Sequence, residues 1–181
     1  MKNPHATTMA RASLAAILAG CAASTVETNP VVPENLKVPV AQVLSLVSPA
    51  TGVQIYECSA GKTDPTRFEW VFKAPEADLF DLSGKKIGKH YAGPTWESND
   101  GSKVVGEVKA RDDGPAATAI PWLLLSAKST AGNGAFSRTQ GIQRLYTVGG
   151  KAPAEGCNRA RLGKEARVPC KATYYFYVAK P

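Results

Sequence analysis

The chain has 181 residues, with 22 lysines and arginines against 15 aspartates and glutamates, a formal net charge of +7, and four cysteines. A composition of 44% hydrophobic and 20% charged residues excludes a disordered or collagen-like chain, and the length suits one domain with a core of its own. The positive balance favours anionic surfaces as partners without fixing which.

Residues 1–20 read as a cleaved leader. Lys2 and Arg11 supply a basic start, Met9 offers an alternative initiation point, and Ser13–Gly20 is an apolar run. It is shorter than the about 20 residues that cross a hydrocarbon core, and has the length of a signal-peptide core. A plain secretory leader needs no cysteine at its end. Leu18-Ala19-Gly20-Cys21 resembles the bacterial lipobox, an aliphatic residue and two small ones before a cysteine. That resemblance implies a diacylglyceryl group on the Cys21 thiol, cleavage before it, and acylation of the new amine. One acyl chain binds a membrane only marginally and stable anchoring takes two signals, so such a terminus holds firmly. Ala22, standing where an aspartate would mark retention at the inner membrane, implies the outer membrane of the bacterial envelope.

From Cys21 to Val38 the chain is polar, carries Pro30 and Pro33, and shows no apolar periodicity. A flexible tether is expected over 21–38, followed by a single domain over 39–181. Within that domain "VQIYEC" (53–58) alternates, and "FEWVFK" puts Phe68, Trp70 and Phe72 on one face with Glu69, Val71 and Lys73 on the other. "DLFDLSGKKIGKHY" reads as a hairpin turning at Ser83-Gly84, and "TWESNDGSKVVGEV" as another turning at Asn99-Asp100-Gly101. "WLLLSA" and "IQRLYTV" are further strands across a loop that includes Thr130–Gly134. "ATYYFYVA" carries aromatic residues on both faces, so both faces should be covered. No helical period persists, and the expectation is an all-β antiparallel domain, a sandwich or a barrel.

Beyond these patterns, "GVQIYEC", "GKHYAGPTW", "AIPWLLLSAKS", "GGKAP" and "ATYYFYV", in that order, make residues 39–178 resemble the DUF3455 family. The family has no established activity, so the resemblance implies an exported domain and assigns no catalytic residue. No G-x-G-x-x-G lies between a strand and a helix, and no cofactor is expected.

Downstream of Cys21 stand Cys58, Cys157 and Cys170. An exported chain should form one disulfide and leave one thiol. The residues alone leave two pairings open: Cys157–Cys170, the shortest closure, worth about 3 kcal/mol in the chain-entropy picture, and Cys58–Cys157. Family members resemble this chain in cysteines at 58 and 157 and usually have tyrosine at 170, which implies Cys58–Cys157. The cysteines and His90 lack C-x-x-C spacing, so no metal is expected.

Chemistry concentrates in "HYAGPTWESNDGS". His90, the only histidine beyond the leader, stands near Glu97 and Asp100, and a general base oriented by either would make an envelope hydrolase. The plainer reading has Gly93-Pro94 and Asn99-Asp100-Gly101 as turns, Trp96 in the core and His90 on a strand. Trp96 and Trp122 are candidate platforms for a ligand, with Arg144 or Gln143 adding polar contacts. The bland alternative places the tryptophans, Trp70 included, in the core and Arg144 in a structural ion pair with a carboxylate. Basic residues gather at Lys85, Lys86 and Lys89, and at Arg159, Arg161, Lys164, Arg167 and Lys171. On a lipid-anchored protein these suit anionic lipid, lipopolysaccharide or an envelope protein, and not nucleic acid, although a solvated face is the plainer explanation. The favoured expectation is a non-enzymatic envelope lipoprotein whose β domain binds a ligand, a surface or another protein.

Overall fold

Alternating segments pair in chain order into β1 (Gln42–Ala60), β2 (Phe68–Phe80), β3 (Lys86–Tyr91), β4 (Thr95–Ser98), β5 (Lys103–Asp112), β6 (Trp122–Ala131), β7 (Gly141–Gly149) and β8 (Glu165–Ala179). The computed structural model describes residues 28–181, so the leader and the lipidation expected at Cys21 lie outside the described residues. Every strand is antiparallel to its neighbours, and β8 returns to β1 to close an eight-stranded barrel. Between sandwich and barrel, the structure selects the barrel. The seam runs from Gln42↔Ala179 to Glu57↔Glu165. Register shifts at Leu44/Leu46 and Ile55/Tyr56 on β1 add the local bend and twist that closure requires.

The inward row supplies the core: Ala50, Leu79, Trp96, Val104, Leu125, Ile142, Tyr174 and Phe176. Phe136, from the β6–β7 loop, plugs one end, its ring 4.6 Å from that of Phe176. A Cβ on Gly106 would sit 2.9 Å from the Trp96 ring and 3.2 Å from Leu125, so glycine there makes room for the indole inside the wall. The ion pairs lie outside, as in Lys73 with Glu57 and Glu165, and Glu97 with Lys89 and Lys103. This apolar-in, charged-out order is the reverse of a membrane-spanning barrel.

The expected tether does not stay free as far as Val38. Residues 34–36 form a single 3₁₀ turn, and Leu36 is wholly buried on the outer face of the barrel against Trp122 and Leu145, with Val32, Leu124 and Tyr175 around them. The Leu36 carbonyl accepts from Gln143 Nε2 at 2.6 Å, and Gln143 Oε1 accepts from the Tyr177 hydroxyl at 2.7 Å. This strap is why β8 carries aromatics on both faces. Tyr174 and Phe176 look inward, while Tyr175 and Tyr177 lie beneath the strap. A lone leucine in a polar, proline-bearing run gives no periodic signal, although burying it is worth about 2 kcal/mol.

Cys58 and Cys157 are joined in a disulfide, fixing the loop before β8 to the end of β1. The Cys157–Cys170 alternative is not formed: Cys170 is a free, buried thiol beside Gln54.

Candidate functional site

β3 and β4 are six and four residues long, against 13 in β2 and ten in β5. The wall is therefore low at the Ala92–Pro94 turn. A cavity of about 310 Å³ lies there, walled by Phe72, Pro75, Pro94, Trp96, Val108, Leu123 and Leu125, with Gln54, Lys73, His90, Arg144 and Tyr174 as its polar members. Phe72 and Val108 are half exposed at the rim and leave an apolar entrance.

Trp96 and His90 are cross-strand partners on β4 and β3, and their rings stack with centroids 4.4 Å apart. His90 is 3% exposed, and its Nδ1 lies 2.9 Å from the Thr95 carbonyl. A carbonyl only accepts, so Nδ1 carries the proton and donates, leaving Nε2 as a bare acceptor. Burial pushes the imidazole pKa down to about 3, with the nearby Arg144 charge adding to the effect. The ring is neutral at any physiological pH.

Arg144 on β7 pairs across the sheet with Leu123 and Tyr174. The structure corrects its expected carboxylate ion pair. Nε and Nη2 donate to the Pro121 carbonyl at 3.1 and 2.8 Å, and the Tyr174 hydroxyl lies beside the guanidinium. No described aspartate or glutamate is ion-paired with it. Burial lowers its pKa from the ordinary value, but an arginine remains charged in proteins. Burial raises the Tyr174 hydroxyl to about 12 and also raises Tyr56 and the Cys170 thiol, so these groups stay neutral. Trp96, 1% exposed, keeps its indole N–H without an acceptor.

The other candidates lie elsewhere. Glu97 is opposite Lys89 in the β3–β4 ladder, hence on the face away from His90. It accepts from the Tyr91 hydroxyl at 2.8 Å and neighbours Lys89 and Lys103. Asp100 closes the β4–β5 turn, accepting from Ser102 N and Oγ at 2.9 and 2.6 Å and from Ala135 N at 2.9 Å. These bonds, that from the Ser102 hydroxyl foremost, hold its carboxyl down at about 2. Neither carboxylate touches His90, so the base and orienting acid considered from the sequence are not assembled. Trp122 is buried outside the barrel under the strap, and Trp70 is half-buried, donating to the Glu155 carbonyl at 2.8 Å. Of the binding candidates, Trp96 and Arg144 share the cavity and Trp122 does not. Gln54, Leu123, Leu125 and Tyr174 were missed. Tyr174 was visible as a polar aromatic in step with Phe176, but its meeting with Arg144 depends on the β7–β8 register.

Several clustered cations are paired on the surface: Lys86 with Asp78 at 2.6 Å, Lys89 with Glu97 at 3.5 Å, and Arg167 with Glu76 at 2.7 Å. Among the described residues, no group of three or more histidine, cysteine and acidic side chains could hold a metal ion.

Fold and site together define a small antiparallel β-barrel, plugged at one end and holding an apolar cavity with a partly buried cation towards the other. The chain belongs to the family described as "Protein of unknown function (DUF3455)", whose sequence model matches residues 39–178. No curated protein and no solved structure matches it.

Proposed function

We propose that this protein is a non-enzymatic binding barrel, anchored by lipid on Cys21 to the bacterial outer membrane, whose cavity takes a small apolar molecule. The observation that carries the reading is the cavity itself. Its volume falls at the lower end of the about 300–1,000 Å³ typical of ligand pockets, and its walls are aromatic and aliphatic with few polar groups. Barrels of about eight strands have an interior suited to side-chain filling or one small ligand. The Cys58–Cys157 disulfide suits an oxidising compartment outside the cytoplasm. The basic clusters favour anionic lipid or lipopolysaccharide beside the anchor. Against a hydrolase stands a histidine that is buried, neutral and without a carboxylate partner.

Calorimetric titration with two uncharged probes, 2-naphthol and 1-octanol, tests the binding reading. Saturable binding of at least one is expected, together with its loss in Val108→Trp, which fills the mouth from a half-exposed position. Failure of both to bind, or binding untouched by Val108→Trp, overturns it. For the anchor, Cys21→Ser should abolish metabolic labelling by a fatty acid; persistent labelling contradicts the lipobox.

A further inference from the structure

Two of the polar groups that line the cavity are charged, Arg144 within the mouth and Lys73 at its rim. Tyr174 and Gln54 are uncharged, the Nε2 of the neutral His90 ring is unprotonated, and among the described lining residues Arg144 alone carries a charge set inside the mouth. Its fork is committed in part, to the Pro121 carbonyl and to the Tyr174 hydroxyl. The Pro121 carbonyl takes Nε and one Nη2 hydrogen and so fixes the plane of the group, while the Nη1 side is held by no described carboxylate. Even a partly buried cation without a counter-charge loses hydration, and hydrogen bonds to Pro121 and the Tyr174 neighbour offset only part of that cost. The other cation at the cavity, Lys73, stands exposed at the rim and is bound by Glu57 at 2.9 Å and Glu165 at 2.8 Å. Fixed donors on one wall and apolar surface on the others suit an amphipathic anion.

We infer that the ligand is an apolar monocarboxylate, its carboxylate received by Arg144 and the Tyr174 hydroxyl and its body lying between Trp96, Leu123, Leu125 and the Phe72–Val108 rim. One guanidinium balances one negative charge, and its planar fork matches a carboxylate in two parallel hydrogen bonds. About 310 Å³ holds on the order of ten non-hydrogen atoms at roughly 30 Å³ each, the share of a water in the liquid. That admits a naphthalene-sized ring system or a medium-length acyl chain, with any excess leaving over the apolar rim. The bare His90 Nε2 accepts and does not donate, so it adds no attraction for the anion and can take a hydroxyl on the ligand body.

This inference rests on the binding reading above, and its test separates the two. Affinities are measured on the whole domain for matched probes: 2-naphthoate against 2-naphthol, and octanoate against 1-octanol and octylamine. In at least one series the acid should bind about ten- to a hundredfold tighter than its alcohol, the worth of a hydrogen bond to a charged group, and octylamine should bind weakest. The preference should persist in 0.5 M salt, which screens exposed charges but buried ones far less, and vanish in Arg144→Met while alcohol binding survives. Alcohols binding as tightly as acids overturn the inference and leave the cavity reading standing; no binding by any probe overturns both. A preference erased by salt would belong to Lys73 and would also overturn the inference. If Arg144→Met does not fold, the matched series and its salt dependence on the unmodified protein decide alone.

Discussion

Replacing His90 by glutamine should change how stability depends on pH more than it changes stability itself. At neutral pH, His90→Gln loses the 4.4 Å stack on Trp96 and must re-form the bond to the Thr95 carbonyl, a cost of about 1–2 kcal/mol. Below pH 6.5 the two proteins part in the opposite sense. The unfolded chain takes up a proton on His90 at its ordinary value of 6.5, whereas the folded ring resists until about 3. Acid therefore favours the unfolded state across that window. The penalty grows by roughly 1.4 kcal/mol per pH unit, reaching on the order of 2–3 kcal/mol at pH 4.5. Carboxylates such as Asp100 titrate alike in both proteins and cancel in the difference. Urea unfolding of both proteins at pH 7.0 and pH 4.5 measures it, and the unmodified protein should lose on the order of 2–3 kcal/mol more than the variant. As the only histidine beyond the leader, His90 also gives a single ring resonance, which should not titrate between pH 8 and 4.5. Equal losses in the two proteins, or a ring titrating near 6.5, would refute the buried neutral histidine.

Gly101 has φ +85°, with nothing within 4 Å of an added Cβ, so Gly101→Val should cost about 1–3 kcal/mol of backbone strain alone, read as a lower melting midpoint. Cys58→Ala with Cys157→Ala removes a link across 99 residues and should cost about 2–5 kcal/mol, matching the effect of reductant on the unmodified protein. Leu36→Ala should cost about 2–4 kcal/mol and open residues 28–38 to limited proteolysis while the barrel stays intact.

The strands, both hairpin turns and the inward placement of Trp96 were legible because each is a local pattern: period two, a turn dipeptide, a glycine at positive φ. Closure was not. It depends on β1 and β8 pairing across the length of the domain, and no local alternation distinguishes a barrel wall from a sandwich face. The strap escaped for a related reason, since Leu36 matters only because β6, β7 and β8 turn an apolar outer face towards it. At the site, Trp96 and Arg144 stood out by residue type. The reading of Arg144 as half of an ion pair failed because strand sequence shows that an arginine points inward but not which strand end it meets. Of the carboxylates beside His90 in sequence, Glu97 faces away by the alternation of β3 and β4, and Asp100 is held in the β4–β5 turn.

The central claim, that the barrel mouth is a ligand site, is tested most directly by the tryptophan indole N–H resonances of ¹⁵N-labelled protein during titration with 2-naphthol. Trp96 lines the cavity, whereas Trp70 is bonded to the Glu155 carbonyl and Trp122 lies under the strap. The account predicts a saturable shift of the Trp96 resonance with the other two unmoved. Movement confined to Trp70 or Trp122, or no movement at any of the three, would contradict it.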